Sequence, residues 1–525
     1  TSTKSLGNSF RVRQIGEVKF RWTDEIEEEH KILFENSLVN ERVADRVIKA
    51  VKRFWKEEKY DGQSMMRASA VIRGFANLSI KLYHEDVTGR LVQFRWAGVK
   101  GTALVVPDEC FDLPQLPDGS YPYRNYDIIV EKNSWKYSPW VKYWNGELAP
   151  DFELVAMSRE RYTQNSNYQY LLALDGNKNM VEILKRHVDK WRDNIMAALQ
   201  DPVLCKASMG IKSYESYEND SGEISLDRYD STLTTLPAKA LDACDSIVHD
   251  ITFRNKYISR LFRDKDELGY GKLPVEGAYR FIISDPTGFF RTDLAVPRMK
   301  DGKVELDYEG NPMFDIVVTS TEQMALRGIT SAYWCGKHQE AVLFRSPCVS
   351  PGEPQRVNLV GLDVIPDAIR TSYGDINIRG LFECIRDLVV VNCFSYTLDA
   401  LGGADTDGDT VLIVTDPAIV SLRNTKRPPT LIKVTSTKKL CVINPDNIKQ
   451  YMIDSLVDAG IGRITNWATT WRDIELMVLF MPNPDTGKYK LPSVVAAELS
   501  AVAKKAEKWL RKNYETIKSL GLESL

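Results

Sequence analysis

Gly402-Gly403-Ala404-Asp405-Thr406-Asp407-Gly408-Asp409-Thr410-Val411-Leu412-Ile413-Val414 sets three aspartates at alternate positions, directly before an apolar run of strand character. Alternate spacing brings the three carboxylates within a few ångströms of one another. Such a group resists full ionisation at neutral pH, because like charges raise each other's pKa. A divalent cation removes that penalty, and hard oxygen ligands select magnesium, manganese or calcium. The glycines relax the backbone so that the turn aims its side chains inward. A metal held this way lowers the pKa of an attacking hydroxyl and neutralises charge developing on phosphorus. A calcium loop is the main alternative. Counting Asp405, Asp407 and Asp409 as positions 1, 3 and 5 of an EF-hand puts Thr410 where glycine is required and Asp416 where a bidentate Glu is required. On these residues alone a catalytic loop, a calcium loop and a solvated acidic turn all stand.

Upstream of the loop the chain alternates short apolar runs with turns: YRFIIS from Tyr279, DIVVTS from Asp315, AVLFRS from Ala341, RVNLVGL from Arg356 and DLVVVN from Asp387, closing with TVLIVT from Thr410. Such a series suits the buried strands of a compact barrel. Helical interruptions are expected near 321–327 and 365–385. Further out, Val43, Val47, Ile48, Val51 and Trp55 form a helical stripe, as do Val181, Leu184, Val188, Trp191, Ile195 and Leu199. Three runs between 62 and 108, SAVIRGF, LSIKLYH and LVQFRWAG, predict strands. Residues 206–245 are polar and predict a linker or insertion. The tail from Ser493 to Leu520 predicts a mixed-charge helix.

The chain has 525 residues and a net charge of -3, so any positive surface for nucleic acid is local. No apolar run reaches the roughly 18 to 20 residues needed to span a bilayer, which predicts no membrane partner. Thr1 to Arg13 lack the apolar stretch of a secretory signal. Eight cysteines, from Cys110 to Cys441, stand singly with no CxxC pair. That opposes a zinc module or disulfide framework and predicts an intracellular protein, cytoplasmic or nuclear.

Four more segments in fixed order resemble the RNA polymerases built on two double-psi β-barrels. Gln93 to Gly101, QFRWAGVKG, resembles the first-barrel motif of eukaryotic-type RNA-dependent RNA polymerases, QIRYxGxKG. Ser134-Trp135-Lys136-Tyr137 resembles their S-M-x-K-F, with one residue fewer. Asp285-Pro286-Thr287-Gly288 resembles D-E-T-G, and Arg345 to Glu353, RSPCVSPGE, resembles R-N-P-C-L-H-P-G-D, with Ser350 where the family has His. The same Arg-x-Pro and D-x-D-G-D order occurs in single-chain phage RNA polymerases.

The resemblance implies an α+β fold with two double-psi β-barrels forming one catalytic cleft and flanking helical regions. The organisation expected is an N-terminal helical region to 61, a first barrel at 62–160 and a helical connector with a polar insertion at 161–271. A second barrel at 272–416 and a mostly helical region at 417–525 follow. It implies template-directed, metal-dependent nucleotidyl transfer from nucleoside triphosphates to an RNA 3′-hydroxyl, with an RNA template favoured. A DNA-directed phage-type enzyme and a non-catalytic calcium-binding or scaffold protein are the alternatives. Asp405, Asp407 and Asp409 would hold Mg2+, or Mn2+. Lys100 and Lys136 would balance the triphosphate and leaving pyrophosphate. Arg345 would reach the nucleotide sugar, where its fork senses the 2′-hydroxyl; a buried Arg holding the barrel is the other reading. Cys348 is expected to be packed and inert. The basic run Arg423 to Arg427, with Lys433, Lys438 and Lys439, is either a phosphate track or a solvated loop.

Overall fold

A computed structural model describes residues 4–38, 41–135, 151–158, 165–174, 180–198, 201–208 and 240–431 apart from 242, 270, 274, 386, 424 and 425, with a few single positions up to 470. The expected C-terminal helix and most of the polar linker lie outside these residues.

In chain order, strands β1 (Lys4–Ser5), β2 (Val12–Ile15) and β3 (Val18–Phe20) precede helices α1 (Asp24–Ser37) and α2 (Glu41–Phe54). Then come β4 (Gln63–Arg67), α3 (Ala68–Ala76), β5 (Leu91–Trp96), β6 (Val99–Val106), β7 (Ile128–Glu131) and β8 (Glu153–Met157). A helical connector includes Met180–Ala198 and Ile251–Gly269. The second half contains β9 (Gly277–Ser284), β10 (Ala295–Pro297), β11 (Met299–Lys300), β12 (Lys303–Val304), β13 (Phe314–Val318), β14 (Ser331–Tyr333), β15 (Gln339–Phe344) and β16 (Gln355–Val360). It ends with β17 (Ala368–Thr371), β18 (Gly374–Asn377), β19 (Leu388–Val391) and β20 (Thr410–Val414). No described helix is long and apolar enough to cross a membrane.

Strands β14, β16, β15, β20, β9 and β19 close a barrel in that order. Numbered one to six along the chain, strand one (β9) is parallel to five (β19), and two (β14) is parallel to four (β16). The remaining neighbours are antiparallel. Exchanging the first three strands with the last three returns the same pattern, which is the pairing of a double-psi barrel. The most apolar runs follow from burial on both faces. In β19, Leu388 and Val390 face one core while Val389 and Val391 face another, as the two-residue period requires.

The first sheet repeats this pattern with one modification. Here β2 is parallel to β7 and β4 to β6, while β4–β7, β5–β6 and β5–β8 are antiparallel. Strand one is split: its β2 piece pairs with β7 and its β1 piece with β8. Residues 6–11 join the two pieces, and Leu6 and Phe152 extend the β8 pairing through Leu6 N–H to Phe152 O at 2.8 Å. The first barrel therefore begins near residue 4, well ahead of the expected residue 62, and the N-terminal region is helical only from Asp24.

Other details differ from expectation. SAVIRGF is part of α3, whose buried Ala68, Val71, Gly74 and Phe75 recur at helical spacing. LSIKLYH forms no strand beyond the turn after α3; only LVQFRWAG enters the sheet, as β5. DIVVTS becomes β13, which lies outside the barrel in a sheet with β10 and β3. Its place in the barrel is taken by the short β14, too brief to show a period. Residues 365–385 hold the β17–β18 hairpin as well as a helix at Arg379–Cys384.

The largest core lies between the barrels. It joins Met65, Leu104 and Ile129 of the first to Ile283, Leu388 and Val390 of the second. The buried Gln63 side chain crosses the same seam, donating to Ser284 O and accepting from Ser284 N–H, both at 3.0 Å. This fixed seam sets the register of the two barrels around the acidic loop.

Candidate active site

A one-turn helix, Thr397–Ala400, ends in Gly402 and Gly403, both in the left-handed region at φ +68° and +67°. These glycines turn the chain so that Ala404 N–H bonds Leu398 O at 2.9 Å, and the acidic loop then runs into β20. Within the loop, Asp405 N–H donates to Asp409 Oδ2 at 2.9 Å. The first barrel holds the other side. Thr102 Oγ1 donates to Thr406 O at 2.7 Å, and Thr406 Oγ1 donates to Asp61 O at 3.0 Å. Gly62, at φ +82°, packs so closely that an added Cβ would fall 2.4 Å from Asp407 Cβ.

The cations arrive from separate elements. Lys100 on β6 reaches Asp407 Oδ2 at 2.8 Å. Arg345, just after β15, bonds Asp409 Oδ2 at 2.9 Å and the carbonyls of Leu401 and Gly402 at 3.3 and 3.2 Å. It thus braces the acidic loop, and its side chain remains 21 % exposed. Lys59 forms a buried pair with Asp399 at 2.7 Å beneath the Trp55 ring. Lys136 lies outside the described residues.

A cleft of about 430 Å³ opens beside Asp405, lined by Lys56, Lys59, Asp61, Trp135 and Asp399 among others. Burial pushes the Asp405 carboxyl above the usual aspartate range; Asp61, Asp409 and Asp407 push the same way, and Lys56 opposes them. Among the described residues no three His, Cys, Asp or Glu side chains are placed to hold a metal, since Asp407 and Asp409 are turned to cations.

Other expected segments have structural positions. Asp285 is fully buried and accepts from Thr287 and Leu326 amides at 3.0 and 2.7 Å, shaping the turn after β9. Cys348 is buried, and burial pushes its thiol well up, as an inert packed cysteine requires. Arg423 is buried with its Nε bonded to Pro354 O at 2.7 Å, so it is no part of an open basic track. Sequence reading missed Lys59, Asp61, Gly62 and Thr102. Tyr60-Asp61-Gly62 signals a turn locally, and its docking on Asp407 depends on a residue hundreds of positions away.

The sequence model described as RNA dependent RNA polymerase matches residues 31–483. The chain belongs to the RNA-dependent RNA polymerase family. Its loop geometry, with a first-barrel lysine on a second-barrel aspartate, is therefore a feature of a member of that family. No curated protein sequence matches it. Among solved structures, it is similar to "RNA dependent RNA polymerase QDE-1 from Thielavia terrestris", at 14 % identity and a TM-score of 0.42 over 83 % of this chain. The match spans 39 % of that protein's length.

Proposed function

We propose that this chain performs template-directed RNA synthesis, transferring a nucleotidyl group from a nucleoside triphosphate to an RNA 3′-hydroxyl on an RNA template. Membership of the polymerase family supports this, and the single observation that carries it is the acidic loop pinned at the seam of two barrels with Lys100 facing Asp407. Asp405, Asp407 and Asp409 would hold Mg2+ or Mn2+ once Asp407 and Asp409 exchange Lys100 and Arg345 for it. When bound, the ion lowers the pKa of the attacking hydroxyl and offsets charge on the phosphorus oxygens. Lys100, released from Asp407, would neutralise the leaving pyrophosphate, a task Lys136 would share. Arg345 would anchor the loop and present its open face to the ribose 2′-hydroxyl. Gly62 and Thr102 hold the loop at the depth the reaction needs.

The test is extension of a primed strand on matched RNA and DNA templates with Mg2+, Mn2+ or Ca2+. Extension on RNA with Mg2+ or Mn2+ is expected. Extension on DNA alone assigns the phage-type activity. Calcium binding without extension on either assigns the non-catalytic one.

A further inference from the structure

The cleft beside Asp405 has a wall that none of the roles above uses. Trp135 reaches it from the single 3-10 turn Lys132–Ser134 that follows β7. Its position is fixed on three sides. Its N–H donates to Lys132 O at 3.1 Å, and its backbone bridges to Val99, the residue before Lys100. Its ring meets Trp96 edge-on at 5.9 Å, and Trp96 meets Tyr308 edge-on at 5.6 Å. Trp135 packs against the first sheet's core yet is only part-buried, and it lines the cleft. An aromatic ring already immobilised by its neighbours loses little further freedom when a flat ligand lies against it.

The lining also selects among ligands. Glu58, Asp61, Asp399 and Asp405 outnumber Lys56 and Lys59, so a bare phosphate chain is disfavoured here. The uncharged indole offers a surface for a neutral, flat group, and every base has a π-face that stacks on such a surface. A volume of about 430 Å³ is enough for a nucleotide-sized group.

We propose that Trp135 is a base-stacking platform that holds a nucleobase in the cleft beside Asp405. The base belongs either to the incoming nucleotide or to the RNA strand; the stacking chemistry is shared. The proposal rests on the polymerase reading only for which of these molecules enters the cleft.

The test compares the 525-residue chain with its Trp135→Ala and Trp135→Phe variants. Calorimetry with ATP and UTP measures nucleotide affinity, anisotropy with a labelled single-stranded RNA measures strand affinity, and primed extension gives KM and kcat. Loss of one stack should weaken either nucleotide or strand binding in Trp135→Ala by roughly 5- to 150-fold. Trp135→Phe should keep most of the affinity, and the preference for ATP over UTP should narrow only in the alanine variant. The ligand that loses affinity identifies the source of the base. Binding of both ligands by Trp135→Ala within twofold of the wild type overturns the proposal. So does equal damage from Phe and Ala with the purine preference unchanged. A wild type that binds through Trp135 but extends nothing overturns the polymerase reading and leaves the stacking standing.

Discussion

Lys100 Nζ lies 2.8 Å from Asp407 Oδ2, so a strand of the first barrel supplies the cation that meets the acidic loop of the second. Both side chains are partly open, 44 % and 22 % exposed, and an ion pair of that kind contributes at most about 1 kcal/mol to stability. Under the proposed function its effect should therefore show in the rate rather than in stability. Lys100→Ala should slow single-turnover extension roughly 10²-fold or more, with the melting temperature moved by only a few degrees. Asp407→Ala should abolish incorporation with an equally small thermal change. A normal maximal rate in Lys100→Ala, with only the nucleotide requirement raised, would remove Lys100 from the transition-state clamp.

Gly62→Ala tests the docking of the loop. The added methyl meets Asp407 Cβ and also forces a left-handed φ on a residue with a side chain. The loop must shift, and displacement by about 1 Å at a reacting centre costs on the order of 10²-fold in rate. Extension rates and denaturation curves measured together should show activity falling far more than stability. Activity within threefold of wild type would show that the loop tolerates displacement.

The pair between Lys59 and Asp399 is buried, with side chains 3 % and 13 % exposed. Removing one member leaves a charge without compensation, so Lys59→Met should cost about 3–5 kcal/mol. The double variant Lys59→Met/Asp399→Leu should recover most of that loss. Urea denaturation of the three proteins provides the check, and equal stability of the single and double variants would contradict it.

Glu353 provides a pH test. Burial pushes its carboxyl up to about 7 from the ordinary 4.5, against opposing bonds from the Val349 and Ser350 amides. A raised folded-state value means that the native protein holds the proton more tightly than the unfolded chain does. The associated stability is complete below about pH 4.5 and is lost as pH rises through about 7. Glu353→Gln keeps a neutral amide in place, so it should gain on the wild type by roughly 2–4 kcal/mol between pH 4.5 and 8. Stability curves for the two proteins that run parallel over this range would show that Glu353 titrates normally.

The acidic loop, Lys100 and Arg345 are legible in the sequence because each sits in a contiguous motif. The apolar runs at β15, β19 and β20 are legible because both faces of those strands are buried, whereas β9 and β16 show through despite Arg280, Arg356 and Asn358 because their apolar residues still dominate the run. The runs 69–75 and 315–320 misled for related reasons. In α3 a short apolar stretch carries either period, and β13 is a buried strand whose partners, β3 and β10, are set by tertiary packing. Lys59, Asp61, Gly62 and Thr102 were hidden because their partners, Asp399, Thr406 and Asp407, are distant along the chain.

The parallel pairing of β3 with β13 joins Val18–Phe20 to Ile316–Val318, nearly 300 residues later. A ribosome adding roughly 5–20 residues per second needs about 15–60 s to deliver the second strand after the first. During that interval the backbone groups of residues 18–20 face either solvent or a protective partner, and an apolar strand edge left open is a template for wrong pairing. Neither strand belongs to a barrel, so the small sheet that ties the two halves of the chain together is completed only after residue 318 has been made. The wait exposes a strand edge to wrong pairing, and slower translation between residues 20 and 318 lengthens it.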